Sequence, residues 1–183
     1  MLTLDRLWLM QLFQAYSEFS FTGRPELRQL VIDYAQGDNW PNGTPTTDSL
    51  GAYWEQPGRY LVTTHLDHIP PPPSPLLVDG TRVYYTGDHY PEYEHAEPVV
   101  MNKRTTWAGV ENYLRTFSSL HTFHEQHPED KARRVEGVVA DSGGDIVQRF
   151  LAKVAATSGE AVSSEGEIEI EWPCAVVMGR RGE

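Results

Sequence analysis

EIEIEWPCAVVMGRR, residues 167–181, holds two strand-like runs of different character. Glu167, Glu169 and Glu171 alternate with Ile168 and Ile170. That period of two puts one strand face in water and the other against a core. The carboxylates therefore read as a solvated face, not as a paired acid and base. Cys174 to Gly179 is apolar without alternation, which suits a strand buried on both faces. Pro173 stands between the runs and reads as the turn of an antiparallel pair.

Upstream, Asp145 caps IVQRFLAKVAATSG, with Ile146, Phe150, Leu151 and Val154 inward and Gly159 at the stop. Thr106 caps another helix. Trp107, Val110, Leu114, Phe117, His121 and His124 follow at steps of three and four, one continuous face up to Pro128. Arg133 to Gly144 is a charged connector. TRVYYTG (81–87) reads as a short strand. QPGRYLVTTHLDHI (56–69) reads as a helix stopped by PPPPSP (70–75), because proline lacks the amide and disfavours helix before it. GRPELRQLVIDYAQG (23–37) reads as a helix with Pro25 in its first turn and Leu27, Leu30, Val31 and Tyr34 on one stripe. Asp38 to Ser49 is a loop. AYSEFSF (15–21) reads as a strand, and Leu2 to Phe13 as a helix or a buried strand.

The 183 residues suffice for one domain, 1–183, with a real core. Fifteen Lys and Arg face 26 Asp and Glu, a net charge of -11. The basic pairs Lys103-Arg104, Arg133-Arg134 and Arg180-Arg181 form no stripe, so no nucleic-acid partner is expected. Cys174 is the sole cysteine, which excludes an intrachain disulfide and fits a reducing compartment. LWLMQLF (7–13) is too short to span a membrane, and no leader pattern is seen. A soluble, cytoplasmic protein with no membrane partner is the expectation.

NYLRTFSSLHTFHEQHPED (112–130) carries His121, His124 and His127 at intervals of three. Two histidines at that spacing can share a metal, but a third and usually a fourth ligand are needed. Glu125 lies on another face and Cys174 is remote, so no metal is expected. VVADSGGDIVQRF (138–150) has neither GxGxxG nor the P-loop lysine and reads as a Gly-rich connector with a capping Asp. There is no GxSxG elbow, and a thiol in a buried strand is usually inert. Tyr16, Trp54, Arg59, His65, Tyr113, Arg115, Ser118, His121 and His124 recur on inward helix faces and beside turns. Two readings stand. They line a pocket for an apolar ligand with a carboxylate or carbonyl handle, or Trp54 and Tyr113 are core and Arg59 and Arg115 surface.

DYAQG, LGAYWEQPGRYLVTTHLDHIPPPP, RVYYTGDHYP, TTWAGVENYLRTFSSLHTFHEQHPED, GDIVQRF and EIEWPCAVVMGRR occur in an order that resembles one family. It is the C-terminal half of fungal class I methyltransferases dependent on S-adenosylmethionine, of the trans-aconitate methyltransferase-like type. The likeness covers about residues 15–181, with WEQPGR and YLRTFSSLH its most specific segments. It implies an α/β fold, α+β as a fragment: a small mixed sheet with a C-terminal antiparallel strand pair, packed by helices. AYSEFSF resembles the fifth strand, and the two closing runs the sixth and seventh. The helices after WEQPGR and around YLRTFSSLH resemble a substrate cover. The family's cofactor loop, D/E-x-G-x-G-x-G, is not in this sequence.

The resemblance therefore implies no cofactor site in this chain; S-adenosylmethionine would bind only if another chain supplied the missing half. The expected function is a cofactor-independent cyclase or pericyclase of secondary metabolism. Tyr113, Arg115 and His121 would be catalytic, and Tyr16, Trp54, Arg59, His65, Ser118 and His124 would bind a small metabolite. Two alternatives stand beside it: a methyltransferase completed by another chain, and a non-catalytic pseudoenzyme partner. A sheet cut at its fifth strand has an open edge. Either Leu2 to Phe13 covers it, or it pairs in a homodimer or in a heteromer with a methyltransferase relative.

Overall fold

The computed structural model describes residues 8–14, 19–36, 48–53, 77–137, 143–159 and 163–181. They form a mixed α/β arrangement of two small antiparallel sheets and several helices. The strands are β1 (Trp8–Gln14), β2 (Ser20–Phe21), β3 (Leu77–Tyr85), β4 (Asn102–Thr106), β5 (Glu167–Glu171) and β6 (Cys174–Arg181). The helices are α1 (Arg28–Gln36), α2 (Trp107–Leu114), α3 (Ser118–Gln126), the single turn α4 (Pro128–Lys131) and α5 (Ile146–Ser158). The expected helix at 56–69, the proline run 70–75, residues 38–47 of the expected loop and residues 138–142 of the Gly-rich connector lie outside the described residues.

The runs of residues 167–181 do not pair with each other, contrary to the hairpin expected from Pro173. β5 is the middle strand of one sheet, ordered β2-β5-β4, and β6 the middle strand of the other, ordered β1-β6-β3. Trp172 and Pro173 carry the chain between the sheets, and the Trp172 N–H donates to the Met101 carbonyl at 2.8 Å. Both strands find two antiparallel neighbours each, which satisfies more backbone groups than a hairpin would. Because β1 and β3 each run antiparallel to β6, they run parallel to one another. A bulge between Val78 and Thr81 places Asp79 at φ 53, a backbone state that Asp tolerates better than most residues.

The main apolar core lies between the β2-β5-β4 sheet and the helices. Phe19, Phe21 and Ile170 meet Val31 and Tyr34 of α1, Trp107, Val110 and Leu114 of α2, and Leu151 and Val154 of α5. Tyr34 stacks on Phe150 with ring centroids 4.4 Å apart. The caps formed as read. Thr106 accepts from the Gly109 N–H at 3.2 Å, and Asp145 and Gln148 form a capping box at α5. Gly159 ends α5 in the left-handed conformation, φ 70.

One helix became two. The face read as continuous from Trp107 to His124 is interrupted at Arg115–Phe117. Thr116 turns back on itself: its Oγ1 donates to the Tyr113 carbonyl at 2.7 Å, and Phe117 takes an extended conformation, φ -67 and ψ 125. Thr and Ser side chains compete in this way with helical backbone bonds. The restart turns Leu120 and Phe123 into the core and leaves His121 exposed.

Candidate functional site

The α2–α3–α5 junction holds Arg115 and His124, two of the predicted residues that the structure describes. Arg115, the C-cap of α2, is a fork between two carboxylates. Its Nη1 donates to Asp145 Oδ2 at 2.6 Å and its Nη2 to Asp145 Oδ1 at 3.2 Å. Its Nε and Nη2 donate to Glu111 Oε1 at 2.9 and 2.6 Å. Burial alone lowers the guanidinium pKa, but the hydrogen bonds to Asp145 and Glu111 outweigh it and the net direction is upward. The charge is thus neutralised inside the fold rather than presented to a ligand.

Beside it, Arg149 donates to Asp130 Oδ1 at 2.7 Å and to Asp48 Oδ1 at 3.0 and 3.2 Å. Asp130 Oδ2 accepts from the Ile146 N–H at 3.0 Å. Two carboxylates, Asp130 and Asp145, therefore occupy the N-terminus of α5, the place a phosphate would otherwise take. Burial pushes the Asp130 carboxyl up, but the Ile146 amide and Arg149 outweigh it and hold it below the usual carboxylate range.

The three histidines diverge. His121 is exposed. His124 Nε2 lies 3.4 Å from Asp130 Oδ2, within ion-pair range but not aligned as a hydrogen bond. Burial pushes the His124 ring pKa down, against the pull of Asp145 and Asp130. His127 Nε2 pairs with the Tyr53 hydroxyl at 2.8 Å. Among the described residues no group of His, Cys, Asp and Glu is placed to hold a metal ion. Tyr113 is half-buried, its ring edge-on to Phe19 and Trp172 and its hydroxyl accepting from Trp172 Nε1 at 3.0 Å. Ser118 is exposed at the start of α3. Tyr16, Trp54, Arg59 and His65 lie outside the described residues. The structure thus brings Arg115, His124 and the N-terminus of α5 together and places His121 apart.

A second polar cluster escaped the sequence reading. Glu171, expected on the wet face of β5, is buried. It pairs across the sheet with Ser20 and Asn102, so these three share one face, while Ile170 and Phe21 share the face toward the helices. Exposure along that polar face falls from Glu167 through Glu169 to Glu171. The 3-10 turn Gly87–His89, which follows β3, closes over its end, and His89 Nε2 meets Glu171 Oε1. Next to His89 in sequence, the Tyr90 ring lies 3.7 Å under the Arg28 guanidinium, which is also 3.5 Å from Glu92. The only sequence cue to this burial was the position of Glu171 beside Trp172-Pro173. No pattern linked it to His89, 82 residues away.

Cys174 is fully buried, and burial pushes its thiol pKa up, in line with an unreactive side chain. No protein-family model matches the chain. Among the described residues no helix is long and apolar enough to cross a membrane.

Proposed function

We propose that this chain is the substrate-covering part of a methyltransferase-like protein of the cytoplasm. In this reading it binds a small metabolite under its helices and promotes its cyclisation without a cofactor site of its own. The observation that carries the reading is the direction of β1 and β3. They run parallel on either side of the antiparallel β6, and the chain between them includes α1. Parallel strands cannot be joined by a hairpin and need a long crossover, as in doubly wound folds. The resemblance then fits with β1, rather than residues 15–21, as the last parallel strand before the cover. The helices of the second sheet are the cover itself.

Holding reacting ends close lowers a barrier by several kcal/mol without a cofactor. Tyr113 remains a polarising group of this reading, with Ser118 and His124 as metabolite contacts, and His121 reaches the metabolite only from the exposed face of α3. Arg115 acts through Asp145 by fixing α2 against α5. The second reading, a methyltransferase completed by a partner chain, is favoured by the outer edge of β1, which no described strand occupies. Calorimetric titration of the purified chain with S-adenosylmethionine separates the two. An absence of binding heat is expected from the cyclase reading. Saturable binding would overturn it in favour of methyl transfer.

A further inference from the structure

Thr86 and His89 stand at the two ends of one 3-10 turn, and side chains three apart in such a turn eclipse one another. Both residues are buried, at 0% and 4% exposure. Glu171 occupies one ring nitrogen of His89. The other, Nδ1, and the Thr86 hydroxyl have no hydrogen-bond partner among the described residues. A buried polar atom left unpaired costs about 1–3 kcal/mol. Two of them three residues apart at one turn mark a place for a polar group.

The chemistry of that group follows from its neighbours. With His89 as the neutral Nε2–H tautomer, Nε2 donates to the Glu171 carboxylate and Nδ1 keeps its lone pair. Thr86 offers a hydroxyl proton. A carbonyl has no proton for Nδ1. An ammonium or an amide N–H satisfies Nδ1 but leaves the Thr86 proton without an acceptor at that nitrogen. A single hydroxyl serves both, donating to Nδ1 and accepting from Thr86 Oγ1.

We propose that Thr86 and His89 bind the hydroxyl of a small organic ligand, with Glu171 as the positioning residue behind the imidazole. From that pose the ligand O–H bond breaks as Nδ1–H forms. The oxyanion remains on the ligand, and the imidazolium is stabilised by the Glu171 carboxylate. Attack of the oxyanion on an electrophilic carbon of the same molecule closes a ring, and the proton on Nδ1 returns to the adduct. Atoms and charge balance without a co-reactant. This last step rests on the cyclase reading; the hydroxyl site stands without it.

The test uses the whole chain, phenol as the probe and toluene as the control. Long-range ¹H–¹⁵N spectra of the imidazole rings are recorded, with His89→Gln assigning the signal. The expected result is a His89 ring protonated at Nε2, whose Nδ1 resonance moves saturably with phenol and stays still with toluene. Thr86→Val, nearly isosteric and clear of the Glu171 contact, should weaken the phenol response about tenfold, the loss of one hydrogen bond. An Nδ1-protonated ring, no response to phenol, an equal response to toluene, or an unchanged affinity in Thr86→Val would each overturn the proposal. Failure here leaves the S-adenosylmethionine titration untouched, so the two readings fail separately.

Discussion

Arg115 keeps its charge inside the fold because Glu111 and Asp145 meet its guanidinium with near-ideal fork geometry. Removing one partner of such a pair strands the other, at a cost of about 3–5 kcal/mol. Arg115→Met should therefore lower the urea midpoint strongly. Asp145→Asn, which retains an oxygen for the Gln148 amide, should cost less. Equal midpoints for Arg115→Met and the parent chain would show that the fork contributes nothing. His124 makes a pH prediction. Its folded pKa lies below the ordinary 6.5, with burial the main cause, while Asp145, Asp130 and Arg115 also face it. The unfolded chain thus takes up the proton first, and stability rises with pH. The contribution is complete above the unfolded value and is lost as pH falls through the folded one. Asp130, also depressed, adds a loss of the same sign at lower pH. His124→Gln should flatten the fall in urea midpoint between about pH 7 and pH 5; an unchanged slope would assign that fall to other groups.

Helices were the legible elements, because their ends are written in local chemistry. Thr106, Asp145 and Gly159 act where they stand in the sequence, through bonds that span three or four residues. Thr106→Ala should cost about 1 kcal/mol by freeing the Gly109 amide. Gly159→Ala should cost about 1–2 kcal/mol, since a Cβ there meets no atom within 4 Å and the penalty is backbone strain alone. Thermal unfolding checks both, and a stabilised Gly159→Ala would contradict the left-handed cap. The break between α2 and α3 was not legible. Periodicity runs through it, and only the Thr116 back-bond and the extended Phe117 reveal that the phase restarts. That restart decides the fate of His121 and so the composition of the candidate site.

At the scale of the molecule, the described residues form two sheets joined by Trp172-Pro173 and by the His89–Glu171 pair. The run Leu2 to Phe13, expected as a possible cover for an open edge, instead supplies the edge strand: Trp8–Gln14 pairs with β6 on one side. Among the described residues nothing pairs with its other side. A sequence as apolar as WLMQLFQ on a free edge favours pairing with another strand. Pairing of β1 with β1 of a second copy would give a twofold-symmetric dimer. Light scattering at micromolar concentration should report the dimer mass, and introducing a proline at Leu12 should shift it to monomer. A monodisperse parent monomer would defeat the prediction.

The sequence by itself determined the helix caps, the strand character of residues 167–181 and the acidic balance. These follow from near neighbours, short periods or composition. Only the tertiary structure decided which strands pair. The hydrogen bonds that separate β5 and β6 into two sheets are made with residues far away in the chain, and alternation says which face is wet without saying what covers it. The same holds for the site. Glu171 reads as solvated until the turn after β3 closes over it, and Arg115 reads as an open anion receptor until Asp145 arrives from α5. Burial and charge neutralisation are properties of the partner as much as of the residue, and those partners lie 82 and 30 residues away.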